Sequence, residues 1–135
     1  GHPAAARRDL RTELRGGGTT TPASVALAER GVDNLLRHAG ILPGAPAPAN
    51  TRRLEIPDAA HYLQAEHRGL LEFTLDLGDP VRAGDLIARV HDLERTGTPP
   101  AEYHATVDGL LIGRRHPARV TPGDTFAVLA VPLEP

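Results

Sequence analysis

One pattern occurs twice in the second half of the sequence, and it constrains the fold more than any other feature. The first copy starts at Gly69 and continues to 81–90, which reads V-x-x-G-D-x-Φ-A-x-Φ, where Φ is an apolar residue. The second copy starts at Gly109 and repeats this pattern at 120–129. Shared spacing at this many positions indicates an internal duplication.

Each copy has a Gly-Asp pair between two apolar runs, as a tight turn between strands requires. Gly84 and Gly123 would supply the positive φ of such a turn, and the aspartate that follows can accept hydrogen bonds from nearby N–H groups. We therefore predict two interlocked β-hairpin units that close one small barrel. Aromatic residues make up only 3% of the chain, so aliphatic side chains must fill the core.

The segment 22–39 is predicted to be an amphipathic helix. Thr21 can cap its N-terminus, Pro22 suits the first helical position, and Gly40 ends it. Apolar residues recur on one side at helical spacing: Val25, Ala28, Val32, Leu35, Leu36 and Ala39. Gly31 costs about 1 kcal/mol relative to alanine inside a helix, and a close backbone contact would explain its presence.

The Pro- and Ala-rich stretch 43–50 is predicted to be a semi-extended connector. Beyond it, short strands are expected at 54–56 and 62–65, and a strand at 103–107 should lead into the second copy. The stretch 94–100 should form a loop or hairpin tip between the copies.

Composition excludes several classes of function. The net charge of −2 is close to neutral and argues against nucleic acid as the main partner, since such binding usually requires a clustered basic face. No apolar run is long enough to span a membrane and no signal-peptide pattern opens the chain, so we expect a cytoplasmic protein. The absence of cysteine excludes disulfides and thiolate metal sites. There is no methionine, even at the first position, so we expect a processed or excised part of something longer.

Two clusters of polar residues invite a functional interpretation. His91 and Glu94 have H-x-x-E spacing, but His91 ends a predicted strand, where the two side chains would point to opposite faces, and we favour no metal there. Residues 114–116 and Arg119 form a basic cluster. The favoured interpretation is a solvated strand edge, and the alternative is an anion contact at a subunit or domain surface.

Glu13 is the remaining candidate, because it ends a short strand predicted at 9–14 and precedes a run of three glycines at 16–18. On composition alone, such a glutamate is expected to be solvated. A glutamate before a flexible glycine loop can also face a cleft, where desolvation would raise its pKa towards the range useful for proton transfer.

The duplicated region resembles the barrel-sandwich hybrid fold of biotinyl and lipoyl carrier domains, which share its V-x-x-G-D turns and the Asp108-Gly109 turn. Carrier domains attach their cofactor to a lysine at the hairpin tip between the halves. Here that tip, 93–98, has no lysine, and all fifteen basic residues of the chain are arginine. The resemblance therefore implies the fold without the carrier function.

A second resemblance covers nearly the whole chain from Thr12. The stretch T-E-L at 12–14, followed by the glycines at 16–18, is similar to the T-E-L-G-G-G-G stretch of the succinylglutamate desuccinylase/aspartoacylase family of zinc hydrolases. Further matches follow in the same order at 28–36, 40–42, 69–72, 76–79, 115–117 and 123–124. The most similar branch is that of the N-acetyl-diaminobutyrate deacetylases of ectoine breakdown.

This resemblance implies a mainly β chain, in which a barrel-sandwich hybrid follows a strand and a helix left from an α/β catalytic domain. Residues 1–42 would be the C-terminal end of that catalytic domain, and 43–53 a Pro/Ala-rich linker. Residues 54–135 would form the duplicated-hairpin β-barrel domain.

The resemblance also implies an activity, namely that of the C-terminal portion of a zinc-dependent amidohydrolase acting on an N-acyl amino acid or a similar small amide. By position, Glu13 matches the glutamate that activates the metal-bound water. Arg15 stands where the family usually has glycine, and it either contacts a substrate carboxylate or is exposed. The family's zinc motif lies upstream of Thr12 and is missing, so zinc is expected in the intact enzyme but not in this chain alone.

The alternative is a non-catalytic barrel-sandwich module used for binding or assembly. We expect the partner to be a small-molecule N-acyl amino acid, and we expect binding to neither nucleic acid nor a membrane. The acyl group, the amine and the presence of a homo-oligomer stay open.

Overall fold

A computed structural model of the protein describes residues 20–133. Within this range, helix α1 spans Pro22–His38 and a 3₁₀ turn spans Ala59–His61. The strands are β1 (Leu54–Glu55), β2 (Tyr62–Gln64), β3 (Gly69–Phe73), β4 (Pro80–Val81), β5 (Leu86–His91), β6 (Ala101–His104), β7 (Gly109–Arg114), β8 (Arg119–Val120) and β9 (Thr125–Pro132). The chain divides into two compact units between Ala49 and Asn50. No helix in this range is long and apolar enough to cross a membrane.

The N-terminus of α1 is fixed by a capping box. The hydroxyl of Thr21 accepts the N–H of Ser24 at 3.2 Å, and the hydroxyl of Ser24 accepts the N–H of Thr21 at 2.9 Å. The helix ends at His38, and Gly40 follows with φ of +71°. The predicted helix is therefore confirmed to within one residue.

The connector after α1 is attached to the helix by side-chain hydrogen bonds. The amide of Asn34 makes two hydrogen bonds with the backbone of Ala47, at 2.8 and 3.1 Å. The guanidinium of Arg37 donates to the carbonyl oxygen of Pro43 at 2.6 Å. The first part of the connector therefore folds back on its own helix, which its composition did not indicate.

Within residues 20–133, much of the apolar side of α1 is not covered. Val25, Val32 and Leu35 are 47%, 55% and 42% exposed. A Cβ added at Gly31 would meet no atom of the described residues within 4 Å. The described residues therefore do not provide the close backbone contact that was expected at Gly31.

The second unit consists of two antiparallel sheets. One has the strand order β1-β9-β7-β4, with β2 also paired to β9, and the other has the order β6-β5-β3-β8. Apolar side chains form a core between the strands, and its largest fully buried members are Phe126, Ile87, Leu111, Leu129 and Val120. The predicted mainly β architecture is confirmed.

The two copies of the repeat exchange their short strands. In one direction, β4 pairs with β7 and places Val81 opposite Gly109. In the other, β8 pairs with β3 and places Val120 opposite Gly69. Each copy thus supplies a strand to the sheet of the other, which is the interlocked arrangement that the duplicated pattern predicts.

The Gly-Asp turns have the conformation predicted from the sequence. Gly84 and Gly123 have φ of +94° and +91°. In each turn the next aspartate accepts the N–H of the residue three positions before it, at 2.8 Å. Gly78, with φ of +97°, lies in a third turn of this kind, in which Asp79 accepts the N–H of Asp76 at 2.9 Å.

Strands β5 and β9 carry the same one-residue bulge. Ile87 falls between the paired residues of β5 and β6, and Phe126 falls between those of β9 and β2. Both are almost completely buried, at 0% and 1% exposure. A bulge redirects the extra side chain and increases local twist, and here it coincides with the two largest side chains of the core.

The strand predicted at 103–107 lies two to three residues earlier, at Ala101–His104. The prediction was wrong at its end because Ala105 bonds to the neighbouring turn. Its N–H donates to the carbonyl oxygen of Asp85 at 2.9 Å, and its own carbonyl accepts the N–H of Gly84 at 2.8 Å. Ala105 is also buried in the core, so this connection is part of the packed unit.

Gly69 and Gly109 occupy matching positions in the two copies but have different space around them. A Cβ added at Gly69 would overlap the carbonyl oxygen of His91, whereas at Gly109 the nearest atom is 3.0 Å away. Because overpacking is destabilising, we expect Gly69→Ala to lower the free energy of unfolding by roughly 3 kcal/mol and Gly109→Ala by about 1 kcal/mol. Urea denaturation followed by circular dichroism measures both losses, and equal losses would contradict the difference in packing.

Asp124 should contribute to stability in a pH-dependent way. The backbone N–H of Thr121, then its hydroxyl and the Arg115 guanidinium, hold the pKa of Asp124 below its ordinary value of 3.8. A carboxyl group whose pKa is lowered by folding stabilises the folded state above its unfolded pKa, and the effect is lost as the pH falls through the folded pKa. Asp124→Asn should therefore be less stable at neutral pH, and its deficit should shrink as the pH falls below 3.8.

Chemical denaturation across this pH range measures the deficit of the Asp124→Asn variant. Asp85→Asn is the matched control, since it removes the carboxylate of the same turn in the other copy. A deficit that stays constant from neutral pH to strongly acidic pH would show that the charge of Asp124 contributes nothing.

Candidate functional site

The two residues to which the sequence assigns chemistry, Glu13 and Arg15, lie outside the described residues 20–133. Their roles therefore stay predictions. Within the described range, the candidate site is a cavity beside the loop that connects β5 to β6.

This cavity has a volume of about 450 Å³, within the range of small-molecule sites. It lies at the start of β3, the end of β5 and the start of β8. Its polar lining consists of His67, Arg68, Asp92, Glu94, Thr98 and Arg119. Apolar lining comes from Val90, Leu93 and Pro99, so the cavity combines an apolar surface with side chains of both charges.

Tyr103 of β6 fixes the position of His67. Its hydroxyl oxygen accepts the N–H groups of Glu66 and His67, at 2.8 and 3.0 Å, and lies 2.8 Å from Nδ1 of His67. Because both lone pairs of the oxygen are used, the hydroxyl must donate its proton to Nδ1. The neutral imidazole then carries its proton on Nε2 and offers an N–H donor on the opposite side of the ring.

The ring of Tyr103 is itself anchored in the core. It packs edge-on against Phe126, with ring centroids 5.1 Å apart, and Phe126 is almost completely buried. The aromatic contact therefore connects the position of His67 at the surface to the centre of the β-unit.

His91 pairs with a carboxylate on the adjacent strand. Its Nε2 lies 2.7 Å from a carboxylate oxygen of Glu72, and this hydrogen bond holds the pKa of Glu72 below its ordinary value of 4.5. The N–H of Glu94 donates to the side chain of Asp92 at 2.8 Å, within a local turn. The described residues contain no group of three or more histidine or carboxylate side chains that could hold a metal ion.

The basic cluster is divided among different partners. Arg114 pairs with Asp76 at 2.9 Å, and Arg115 pairs with Asp124 at 3.2 Å. Arg119 instead lines the cavity. Arg114 and Arg119 are exposed, as the preferred interpretation of a solvated edge expects, and Arg115 is half-buried. The four residues also do not converge on one anion, and Arg119 alone reaches the candidate site.

The fold and the sequence together match solved structures of one class of enzyme. The chain superposes on a succinylglutamate desuccinylase/aspartoacylase from Rhodobacter sphaeroides with a TM-score of 0.77 at 33% identity, over 90% of this chain and 39% of that chain. No family model matches the sequence. The resemblance inferred from the motifs is confirmed: the chain corresponds to the C-terminal part of proteins of the succinylglutamate desuccinylase/aspartoacylase family.

Within this class, the chain is 52% identical over 125 residues to the N-alpha-acetyl-L-2,4-diaminobutyric acid deacetylase of Halomonas elongata. It is also similar to the product-bound ectoine utilization protein EutE (DoeB) of Ruegeria pomeroyi, with a TM-score of 0.76 at 46% identity over 88% of this chain. The chain spans 36% of the length of each of these two relatives.

Tyr103→Phe tests the hydrogen bonds that position His67. Removing the hydroxyl should release Nδ1 and leave two N–H groups to water, so we expect about 1 kcal/mol lower unfolding free energy. The imidazole ¹⁵N chemical shifts of His67 should change as the ring loses its preference for the Nε2–H tautomer. Tyr62→Phe, on an exposed tyrosine, is the control and should leave those shifts unchanged. Unaltered His67 shifts in Tyr103→Phe would contradict the assigned direction of the hydrogen bond.

Proposed function

We propose that this chain is the C-terminal portion of a zinc-dependent amidohydrolase that deacylates an N-acyl amino acid or a similar small amide in the cytoplasm. The observation that carries the proposal is the 52% identity over 125 residues to the Halomonas deacetylase. Because the chain spans 36% of that protein, the activity is proposed for a longer polypeptide of which this chain is one part.

The proposed organisation has three segments. We assign 54–135 to the barrel-sandwich hybrid fold, and the exchanged short strands and matched Gly-Asp turns support this assignment. The proposed linker, 43–53, contains the division between the two units after Ala49. Residues 1–42 are proposed to be the end of a catalytic α/β domain.

The exposed side of α1 supports a larger catalytic domain. An apolar stripe on an amphipathic helix normally packs against a partner, yet Val25, Val32 and Leu35 are 42–55% exposed. This is the surface expected of a helix that is one element of a larger α/β domain. In the alternative, a non-catalytic module for binding or assembly, the uncovered side of the helix would have to pack against a partner protein.

The residues described here do not fit the zinc ion of the proposed enzyme. Zinc sites use three or four histidine, cysteine or carboxylate ligands. The chain has no cysteine, and no three histidine or carboxylate side chains come together among residues 20–133. The ligands are therefore proposed to lie elsewhere in the longer polypeptide.

Glu13 is proposed to be the general base of the longer enzyme. Its carboxylate would accept a proton from the attacking water and transfer it to the leaving amine. Arg15 is proposed to contact a substrate carboxylate, because a guanidinium group can donate two parallel hydrogen bonds to it. The position of Glu13 in the T-E-L stretch supports its role, and Arg15 directly follows that stretch.

The role of Glu13 is tested in the full-length enzyme with N-acetyl-diaminobutyrate as substrate. Glu13→Gln keeps the size of the side chain but removes its basicity, so kcat should fall about a hundredfold or more while zinc content, measured by metal analysis, is retained. Glu29→Gln, an exposed glutamate on α1, is the control and should keep normal kcat. An unchanged kcat in Glu13→Gln would exclude this residue as the general base.

A further inference from the structure

We propose that the cavity beside the 92–100 loop binds the charged end of a small amino acid, with its carboxylate at Arg68 and Arg119 and its ammonium group at Asp92 and Glu94. This inference goes beyond the deacylase activity and does not depend on it. It rests on the charges that line the cavity and on the comparison of the two copies of the repeat.

The cavity contains side chains of both signs that are not paired with each other. Arg68 and Arg119 line the same space as Asp92 and Glu94. The ion pairs found among residues 20–133 involve other side chains, so within this range none of the four charges is neutralised by another. Two cations and two anions in one cavity match a ligand that carries a carboxylate and an ammonium group together.

Three other arginines of the β-unit are paired with carboxylates. Arg89, Arg114 and Arg115 each pair with a carboxylate, at 3.1, 2.9 and 3.2 Å. Arg52, Arg53, Arg82 and Arg95 take part in none of the ion pairs found among residues 20–133, so an unpaired arginine is not by itself unusual in the β-unit. Arg68 and Arg119 are distinguished because acidic side chains line the same cavity without forming such a pair.

The duplication provides an internal comparison for these charges. Aligning the two copies places Gly109 on Gly69 and Val81 on Val120. The counterpart of Arg68 is therefore Asp108, and the counterpart of Arg119 is Pro80. The backbone pairing is the same at both places, but the arginines occur at only one of them. Strand pairing therefore does not require these arginines, since the other copy makes it without them.

The space beside the two copies also differs. In the second copy, Val131 and Pro132 are paired with β1. Their counterparts in the first copy, Asp92 and Leu93, instead line the cavity. The hairpin loop after β5 thus leaves open a space that β1 occupies in the other half of the unit.

The remaining lining suits the uncharged part of a small amino acid. Leu93 is 59% exposed and, with Val90 and Pro99, supplies an apolar surface beside the charges. His67, whose Nδ1 is occupied by Tyr103, adds an Nε2–H donor to the lining. A guanidinium group binds a carboxylate in a forked geometry, and two carboxylates provide acceptors for the three N–H bonds of an ammonium group.

The proposal is tested by nuclear magnetic resonance on the ¹⁵N-labelled 135-residue chain. L-Alanine is the probe, and propionate and ethylamine are matched controls that lack the ammonium and the carboxylate group. We expect saturable shifts at residues 67–69 and 92–94 with L-alanine, and shifts at least about tenfold weaker in affinity with either control. The equivalent positions 107–109 and 131–132 should not respond.

Variants separate the two charged halves of the cavity. Arg119→Gln and Glu94→Gln should each weaken L-alanine binding about tenfold, because each removes one charge-assisted contact. Arg82→Gln, at an exposed turn outside the cavity, is the matched control and should bind normally. Unperturbed spectra elsewhere in the chain would show that the variants fold.

Three outcomes would overturn the proposal. They are the absence of saturable shifts with L-alanine, equal binding of propionate, and normal binding by both cavity variants. Equal propionate binding would identify a simple anion site instead. Because the titration uses no substrate and no zinc, its result is independent of whether Glu13→Gln lowers kcat in the full-length enzyme.

Discussion

The β-unit depends on the close approach of two backbones where the copies of the repeat exchange strands. At Gly69 the chain passes so close to His91 that a side chain would overlap its carbonyl oxygen. This proximity allows β3 to pair with β5 on one side and with β8 on the other. Since β8 belongs to the second copy, the same glycine joins the two halves.

Hydrogen bonds in the turns stabilise the exchanged strands at their ends. Asp85 and Asp124 each tie their own turn together, and the backbone bonds of Ala105 and Ala65 attach the neighbouring segments to these turns. The matching bulges at Ile87 and Phe126 then place large side chains in the core between the exchanged strands. The scaffold is therefore nearly symmetric in its backbone, whereas the side chains around the cavity are not.

Local patterns allowed the helix and the turns to be predicted closely. Thr21 and Gly40 act on backbone groups within a few residues, and so does the aspartate after Gly84 or Gly123. The strand after the hairpin loop was misplaced because Ala105 bonds to a turn twenty residues earlier in the chain. The partners of the basic cluster were not predictable for a related reason, since Arg114 pairs with Asp76, which lies 38 residues before it.

The candidate site was largely beyond the reach of sequence patterns. Tyr103 and His67 are 36 residues apart, and no motif joins them. The cavity charges come from three separate segments, at Arg68, at the 92–94 turn and at Arg119. The duplication contained one signal of the cavity charges. Aligning the copies shows that Arg68 and Arg119 have no basic counterpart in the other half.

By itself, the sequence determined the repeat, its Gly-Asp turns, the capped helix and the resemblance to succinylglutamate desuccinylase/aspartoacylase proteins. These follow from spacing and from short-range backbone chemistry, which a linear pattern records. Only the tertiary structure decided which side chains share a cavity and which arginines are already paired. Those outcomes depend on the strand exchange, which brings residues from distant parts of the chain to the same end of the β-unit.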